Sequence, residues 1–160
     1  MSVVSWVHLS RFEPTEDKAL DLVNKLVSNR LYLSDEHRTV DIASAVVLSH
    51  LVGDGMVFEI GEWQGLIGLV NVVPGWKADL LFKLWDKSIW GAELRRELEE
   101  SLNYMVNEFK LERVFLETPD THTSQLAIAC GFEQEGLLKN HFKWDGVPYD
   151  VLCLGLNRRD

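Results

Sequence analysis

The residues able to ligate a metal or attack an acyl group are few and scattered in this sequence. Cys130 and Cys153 match no metal-ligand spacing, and two cysteines are too few for a disulfide framework. They read as core thiols of a reducing compartment. His8, His37, His50 and His141 show no ligand spacing, so no metal is expected. No Ser-His-Asp arrangement follows from spacing either. The segment Lys87-Ser88-Ile89-Trp90-Gly91-Ala92, which leads into the longest predicted helix, is more informative. A helix start presents N–H groups with no intrahelical acceptor, and the helix dipole adds positive potential there, so it can hold an anion. A glycine at that point lacks the Cβ that would keep the anion away. Lys87, Arg95 and Arg96 add cations, whereas Glu93, Glu97, Glu99 and Glu100 suit the helix dipole but oppose a bound anion.

The elements that must position these groups follow from periodicity. Val3 to Phe12 reads as an edge strand, broken by Glu13-Pro14-Thr15. Thr15 caps a helix to Asn29, with Ala19, Leu22, Val23, Leu26 and Val27 at helical spacing. Leu31 to Thr39 is a polar loop, and Asp41 to Leu51 a second helix. Met56 to Ile60 and Leu66 to Val73 form a hairpin, and Ala78 to Trp85 a further strand. Asp86 to Gly91 connects it to a helix over Ala92 to Phe109 whose inner face carries Leu94, Leu98, Leu102, Met105 and Phe109. A strand over Arg113 to Glu117 and a helix over Thr123 to Cys130, closed by Gly131, come next. Phe132 to Trp144 and Val147 to Leu156 close the chain as a hairpin on Asp145-Gly146. The predicted fold is a mixed α/β sheet in the order β-α-α-β-β-β-α-β-α-β-β, with helices on both faces.

Composition bounds the rest. A chain of 160 residues with 46% hydrophobic and 26% charged residues is expected to form a single domain over 1–160. The net charge of -9, with acidic residues in excess in both halves, disfavours a nucleic-acid partner. No apolar run reaches the roughly 20 residues of a membrane span, and no secretory signal is visible at the N-terminus, so a cytoplasmic location without membrane association is expected. Most of the six tryptophans are expected in the core, with one or two lining a cleft.

The element order and four stretches resemble the GNAT N-acetyltransferase superfamily, nearest to its ribosomal-protein-alanine and diamine N-acetyltransferases. The stretches are Ala78-Asp79 with Phe82; Leu102-Asn103-Tyr104 with Phe109, Leu111, Arg113 and Val114; Ala129-Cys130-Gly131-Phe132-Glu133-Gln134-Glu135-Gly136; and Asp145-Gly146 with Tyr149-Asp150-Val151 and Leu156. The resemblance implies acetyl-CoA as acyl donor and an amine of a peptide or small molecule as acceptor. It implies that Lys87, Trp90, Gly91, Ala92, Arg95 and Asp120 bind the cofactor. Asp79, Glu117 and His122 are then the acid–base candidates for taking the amine proton and protonating the leaving thiolate.

The sequence departs from the family pattern at the cofactor loop. Gly91 and Ala92 are its small residues; with Gly91 as the motif glycine Glu93 takes the final small position, and with Gly91 as the final residue Ile89 and Asp86 take key positions. The family tyrosine four residues before the Gly-Phe glycine is Ala127 here. A second reading therefore stands beside the enzyme: a non-catalytic binding or structural module, such as a virus-particle subunit, that keeps the fold without the cofactor. The expected partners are an amine-bearing substrate or a protein, with a homo-oligomer as a further expectation.

Overall fold

Along Lys77–Leu84 every second side chain is buried: Ala78, Leu80, Phe82 and Leu84. That period of two belongs to a strand with one face on a core. The computed structural model describes residues 6–12, 15–28 and 55–158. Within them the chain runs β1 Leu9–Arg11, α1 Glu16–Ser28, β2 Met56–Ile60, β3 Gly65–Val73, β4 Lys77–Leu84, a short 3-10 turn Lys87–Ile89, α2 Ala92–Glu108, β5 Arg113–Thr118, α3 Thr121–Ala129, β6 Glu133–Trp144 and β7 Val147–Asn157. The strands of the described residues form one seven-stranded sheet in the order β1-β2-β3-β4-β5-β7-β6. Neighbours are antiparallel except β4 and β5, which are parallel.

The sheet has a core on each face, as the mixed α/β expectation requires. Leu94, Leu98, Leu102 and Met105 of α2 and Leu126 and Ala127 of α3 pack with Ala78, Leu80, Phe82, Leu84, Val114 and Leu116. On the other face Leu22 of α1 joins Phe12, Val57, Leu66, Val70 and Trp144, with Leu81 and Trp85 packed against them. Strand β3 serves both layers. Leu66 and Val70 face α1 and Ile67 and Leu69 face α2, and the register shifts beyond Val70 around Asn71, at φ 51°, so that Val72 joins the α2 layer.

Three local expectations are corrected. The N-terminal strand, predicted over Val3 to Phe12, forms among the described residues only at Leu9–Arg11. Its ladder stops at Leu9 because the His8 N–H instead donates to Glu97 Oε1 at 3.0 Å. The helix predicted from Thr123 begins at Thr121, because Asp120 Oδ2 accepts from the Thr123 N–H at 2.9 Å and from its hydroxyl at 2.7 Å. Of the tryptophans only Trp144 is buried; Trp76 and Trp90 are exposed and Trp6, Trp63 and Trp85 half-buried. Indole N–H groups need acceptors, and Trp63 and Trp85 find theirs near the surface, on the Asp21 carboxylate and the Trp63 carbonyl. The loop over Leu31 to Thr39 and the helix over Asp41 to Leu51 lie outside the described residues. Among the described residues no helix is long and apolar enough to cross a membrane.

Candidate functional site

The parallel pair β4–β5 is joined only at Lys77↔Arg113, Ala78↔Val114 and Asp79↔Phe115. Past Asp79, β4 stays on the β3 ladder to Leu84↔Gly65, and β5 stays on the β7 ladder to Thr118↔Leu152. Each half of the sheet keeps its own hydrogen bonds, so the two diverge and leave a V-shaped gap at the C-terminal ends of β4 and β5. Ligands in open α/β sheets bind at such carboxyl ends. A cavity of about 130 Å³ lies there, lined by Phe82 and Leu84 of β4, Lys87 and Trp90 of the connector, and Asp120, His122 and Thr123 around the start of α3.

The connector is fixed by Asp86. Its carboxylate accepts from the Ser88 hydroxyl at 2.6 Å, the Ser88 N–H at 3.0 Å and Gln64 Nε2 at 3.0 Å. The Ser88 hydroxyl and then Gln64 hold the Asp86 carboxyl below its ordinary range. The turn Lys87–Ile89 delivers the chain to Gly91, the N-cap of the 17-residue α2, which makes no side-chain capping bond. A Cβ on Gly91 would meet nothing within 4 Å, and the first N–H groups of α2 have no intrahelical acceptor.

Charge at the mouth is mixed. Lys87 Nζ lies 3.4 Å from His122 Nδ1, and that nitrogen lies 4.0 Å from Asp120 Oδ1. Lys83, on β4 between two cavity-lining residues, faces the α1 layer. Burial holds its ammonium well below its ordinary value of 10.5, and the charge of Asp120 offsets part of that.

The first turns of α2 also anchor the N-terminal segment. Glu97, 1% exposed, takes both the backbone N–H and the ring Nδ1 of His8. Burial pushes its carboxyl up and the His8 hydrogen bonds and charge outweigh this, leaving it below the ordinary 4.5. Glu93 stands beside them, its carboxylate within 4.8 Å of the His8 and Glu97 ligand atoms. Sequence spacing missed this grouping because His8 is 89 positions from Glu97.

Of the residues singled out from sequence, Lys87, Trp90, Asp120 and His122 line the cavity together, and Gly91 and Ala92 begin the helix beside it. Arg95 is exposed on the first turn of α2. Asp79 lies at the last rung between β4 and β5, half-buried, and accepts from Asn71 Nδ2 at 2.9 Å. Glu117 is exposed on β5, on the sheet face opposite Val114 and Leu116. Asp79 and Glu117 are thus outside the cavity, on the α1 side of the sheet. Ala127 is 1% exposed in the core beneath α3, so that position offers no acid. Phe82, Leu84 and Thr123 were missed; the β4 alternation carried a signal for the first two.

No family model matches the sequence, and no curated protein sequence matches it. Solved structures do match. A ribosomal-protein-S5-alanine acetyltransferase from Vibrio fischeri superposes with a TM-score of 0.69 at 17% identity, covering 98% of this chain and 97% of that one. A spermidine N-acetyltransferase from Vibrio cholerae, solved with CoA and spermine, gives 0.69 at 16% identity over 94% and 95%. The microcin C7 self-immunity acetyltransferase MccE, solved with acetyl-CoA and AMP, gives 0.67 at 12% over 95% and 93%. The diverging parallel pair and the helix start beside it thus sit within the architecture expected from the sequence, and over nearly its whole length this chain has the fold of the GNAT N-acetyltransferases.

Proposed function

We propose that this protein is an N-acyltransferase moving an acetyl group from acetyl-CoA to a primary amine of a peptide or small molecule. One observation carries the reading: the uncapped start of α2 opens beside the gap where β4 and β5 part. The site fits the donor in kind, with a helix start that has no side-chain cap, a glycine whose Cβ position is open and Lys87 for phosphate charge. The cavity, at about 130 Å³, has room for the acylated end, with the rest along the surface of α2. When bound, acetyl-CoA supplies an activated acyl carbon.

The amides near Trp90, Gly91 and Ala92 hold the pyrophosphate, with Lys87 and Arg95 alongside. His122, oriented by Asp120, is the nearest group able to move a proton at the cavity. Asp79 and Glu117 lie on the α1 face, outside the cavity, and would act only on an amine approaching from that side. The structural neighbours solved with CoA and spermine, and with acetyl-CoA and AMP, support the donor and an amine acceptor. A soluble, cytoplasmic protein acting on such amines is consistent with this reading, and nucleic acid is disfavoured by the net charge of -9.

A specific observation favours the second reading, a binding or structural module. Lys87 and His122 meet across the mouth, and Glu93 stands in the first turn of α2. Calorimetry and thermal melts with acetyl-CoA decide between them. Ligand at about 100 times its dissociation constant stabilises the enzyme by about 2.7 kcal/mol, and Glu93→Gln tightens binding by removing a repulsive charge. No thermal shift at millimolar acetyl-CoA, with no acetylated product from spermine or an N-terminal peptide, overturns the enzyme in favour of the module.

A further inference from the structure

A second cavity, of about 490 Å³, lies at the other end of the sheet. The gap is at the Thr118 end of β5. This cavity is at the Arg113 end, where Leu156 and Asn157 of β7 pair with Val114 and Arg113. Its volume is that of ligand-binding clefts, which hold roughly 300–1,000 Å³. Part of its lining is apolar: Val106 of α2 is buried, and Cys130 and Leu156 are half-buried against the α2-side core. The rest is polar and exposed. Asn103 and Asn107 stand one turn apart on α2, and Arg158 follows β7.

The carboxamides of Asn103 and Asn107 and the guanidinium of Arg158 make no hydrogen bond or ion pair among the described residues. Arg158 is nonetheless fixed at its root, since its backbone N–H donates to the Glu112 carbonyl at 2.7 Å. Arg96 and Arg113, by contrast, each hold a glutamate. Asn157 is engaged as well: it accepts from Arg113 Nη1 at 3.1 Å and donates to Glu135 at 3.4 Å. The unmet groups define the ligand. A guanidinium takes a carboxylate through two parallel hydrogen bonds. A carboxamide offers both donors and an acceptor, the complement of a peptide group. Residues i and i+4 lie about 6 Å apart along a helix, and an extended chain advances about 3.4 Å per residue. Asn103 and Asn107 therefore match peptide groups two residues apart. A phosphate polyanion suits the place less well. Asn107 is in the last turn of α2 and Cys130 caps the end of α3, so both helices turn their negative ends here. Arg158 is the one cation among the described lining residues.

We propose that this cavity binds the carboxyl terminus of a peptide. Arg158 takes the terminal carboxylate, Asn103 and Asn107 take the last peptide groups, and Val106, Cys130 and Leu156 receive an apolar side chain. The cavity is at the opposite end of β5 from the gap, so this binding stands or falls independently of acetyl-CoA.

The test titrates the full chain with the peptide N-acetyl-Ala-Ala-Leu and with the same peptide closed as its C-terminal amide. Calorimetry gives the affinities, and NMR follows the side-chain N–H signals of asparagine and arginine. The acid is expected to bind at least about tenfold more tightly than the amide, the scale of a charge-assisted hydrogen bond, and to move the signals of Asn103, Asn107 and Arg158. Arg158→Gln removes the preference for the acid and Asn107→Leu weakens both peptides, while circular dichroism of each variant stays that of the parent. N-acetylleucine keeps the carboxylate but only one peptide group, and should bind more weakly than the tripeptide. Equal affinity for N-acetylleucine overturns the peptide in favour of a small acylated amino acid. Equal affinity for acid and amide, tighter binding of inorganic phosphate, or unmoved signals of all three residues at millimolar peptide overturns the carboxylate site itself.

Discussion

Lys87 Nζ lies 3.4 Å from His122 Nδ1, so a side chain from the connector before α2 and one from α3 meet across the mouth of the gap. The contact joins the two halves of the sheet where their strands no longer do. It also puts a cation where the donor phosphates enter. Lys87→Glu should weaken acetyl-CoA binding about tenfold or more, the scale of a lost charge-assisted hydrogen bond. Isothermal titration calorimetry reads this directly, and an unchanged dissociation constant would place the phosphates elsewhere.

The face that α2 turns to the sheet holds the α2-side core. Leu98 is fully buried among residues of β4 and β5. Leu98→Ala should cost about 2–5 kcal/mol, as a large-to-small change in a packed site. Urea unfolding gives the value, and a loss below about 0.5 kcal/mol would mean that the site collapses without leaving a cavity.

The turn between β6 and β7 has Asp145 at φ 52° and Gly146 at φ 76°. A Cβ at Gly146 would touch nothing within 4 Å, so any penalty there is one of backbone conformation and not of space. Gly146→Val should cost about 1–3 kcal/mol, because a β-branched residue resists the left-handed region. Asp145→Asn should fall within about 0.5 kcal/mol of the parent. Thermal melts of the two variants side by side would show whether conformation sets the order.

The Glu97 carboxyl is held below its ordinary 4.5 in the folded protein, against the push of burial, by the hydrogen bonds and charge of His8. The folded state therefore favours the ionised form more than the unfolded state does. This contribution is complete above pH 4.5 and is lost as the pH falls from there through the folded value. Glu135 shifts the same way beside Arg113, to which it is paired at 2.8 and 2.5 Å, but at the surface. Stability measured by urea melts should fall as the pH drops below about 4.5, and Glu97→Gln should make that fall shallower. A variant with the parent's pH slope would show that Glu97 does not carry it.

The Cys130 thiol is pushed up to about 11 by burial, with Glu99 adding to the shift and Arg95 opposing it. Cys153 is shifted in the same direction, again by burial first. Alkylation of Cys130 by iodoacetamide at pH 8 should run about a hundredfold slower than that of an unperturbed thiol. Rapid labelling of the folded chain would contradict its placement against the core.

What could be read from the sequence was what neighbours along the chain decide. The inner face of α2 followed from a 3.6-residue period, and Leu94, Leu98, Leu102 and Met105 are all buried, with Phe109 at the helix end partly so. The Asp145-Gly146 turn followed from two residues that tolerate positive φ. The Lys87–Ala92 lead-in was recognisable because a helix start has a local signature. The gap itself was not, because it exists only where two half-sheets diverge, and no residue of β4 announces that β5 leaves it after Asp79. Asp79 was singled out from its resemblance to a family strand carboxylate and Glu117 from the end of its strand, and side-chain alternation in the folded sheet puts both on the face opposite the cavity. Most of the six tryptophans were expected in the core, yet only Trp144 is buried there, because an indole covers surface as readily as it fills a core.

The tether between His8 and Glu97 spans 89 positions. On a ribosome, which delivers the chain from its N-terminus, His8 emerges long before the carboxylate that will hold it, and β1 can pair with β2 before α2 exists. The N-terminal segment therefore completes its docking only after α2 has folded onto the sheet. Closing a loop of that length costs entropy that only the finished core can offset.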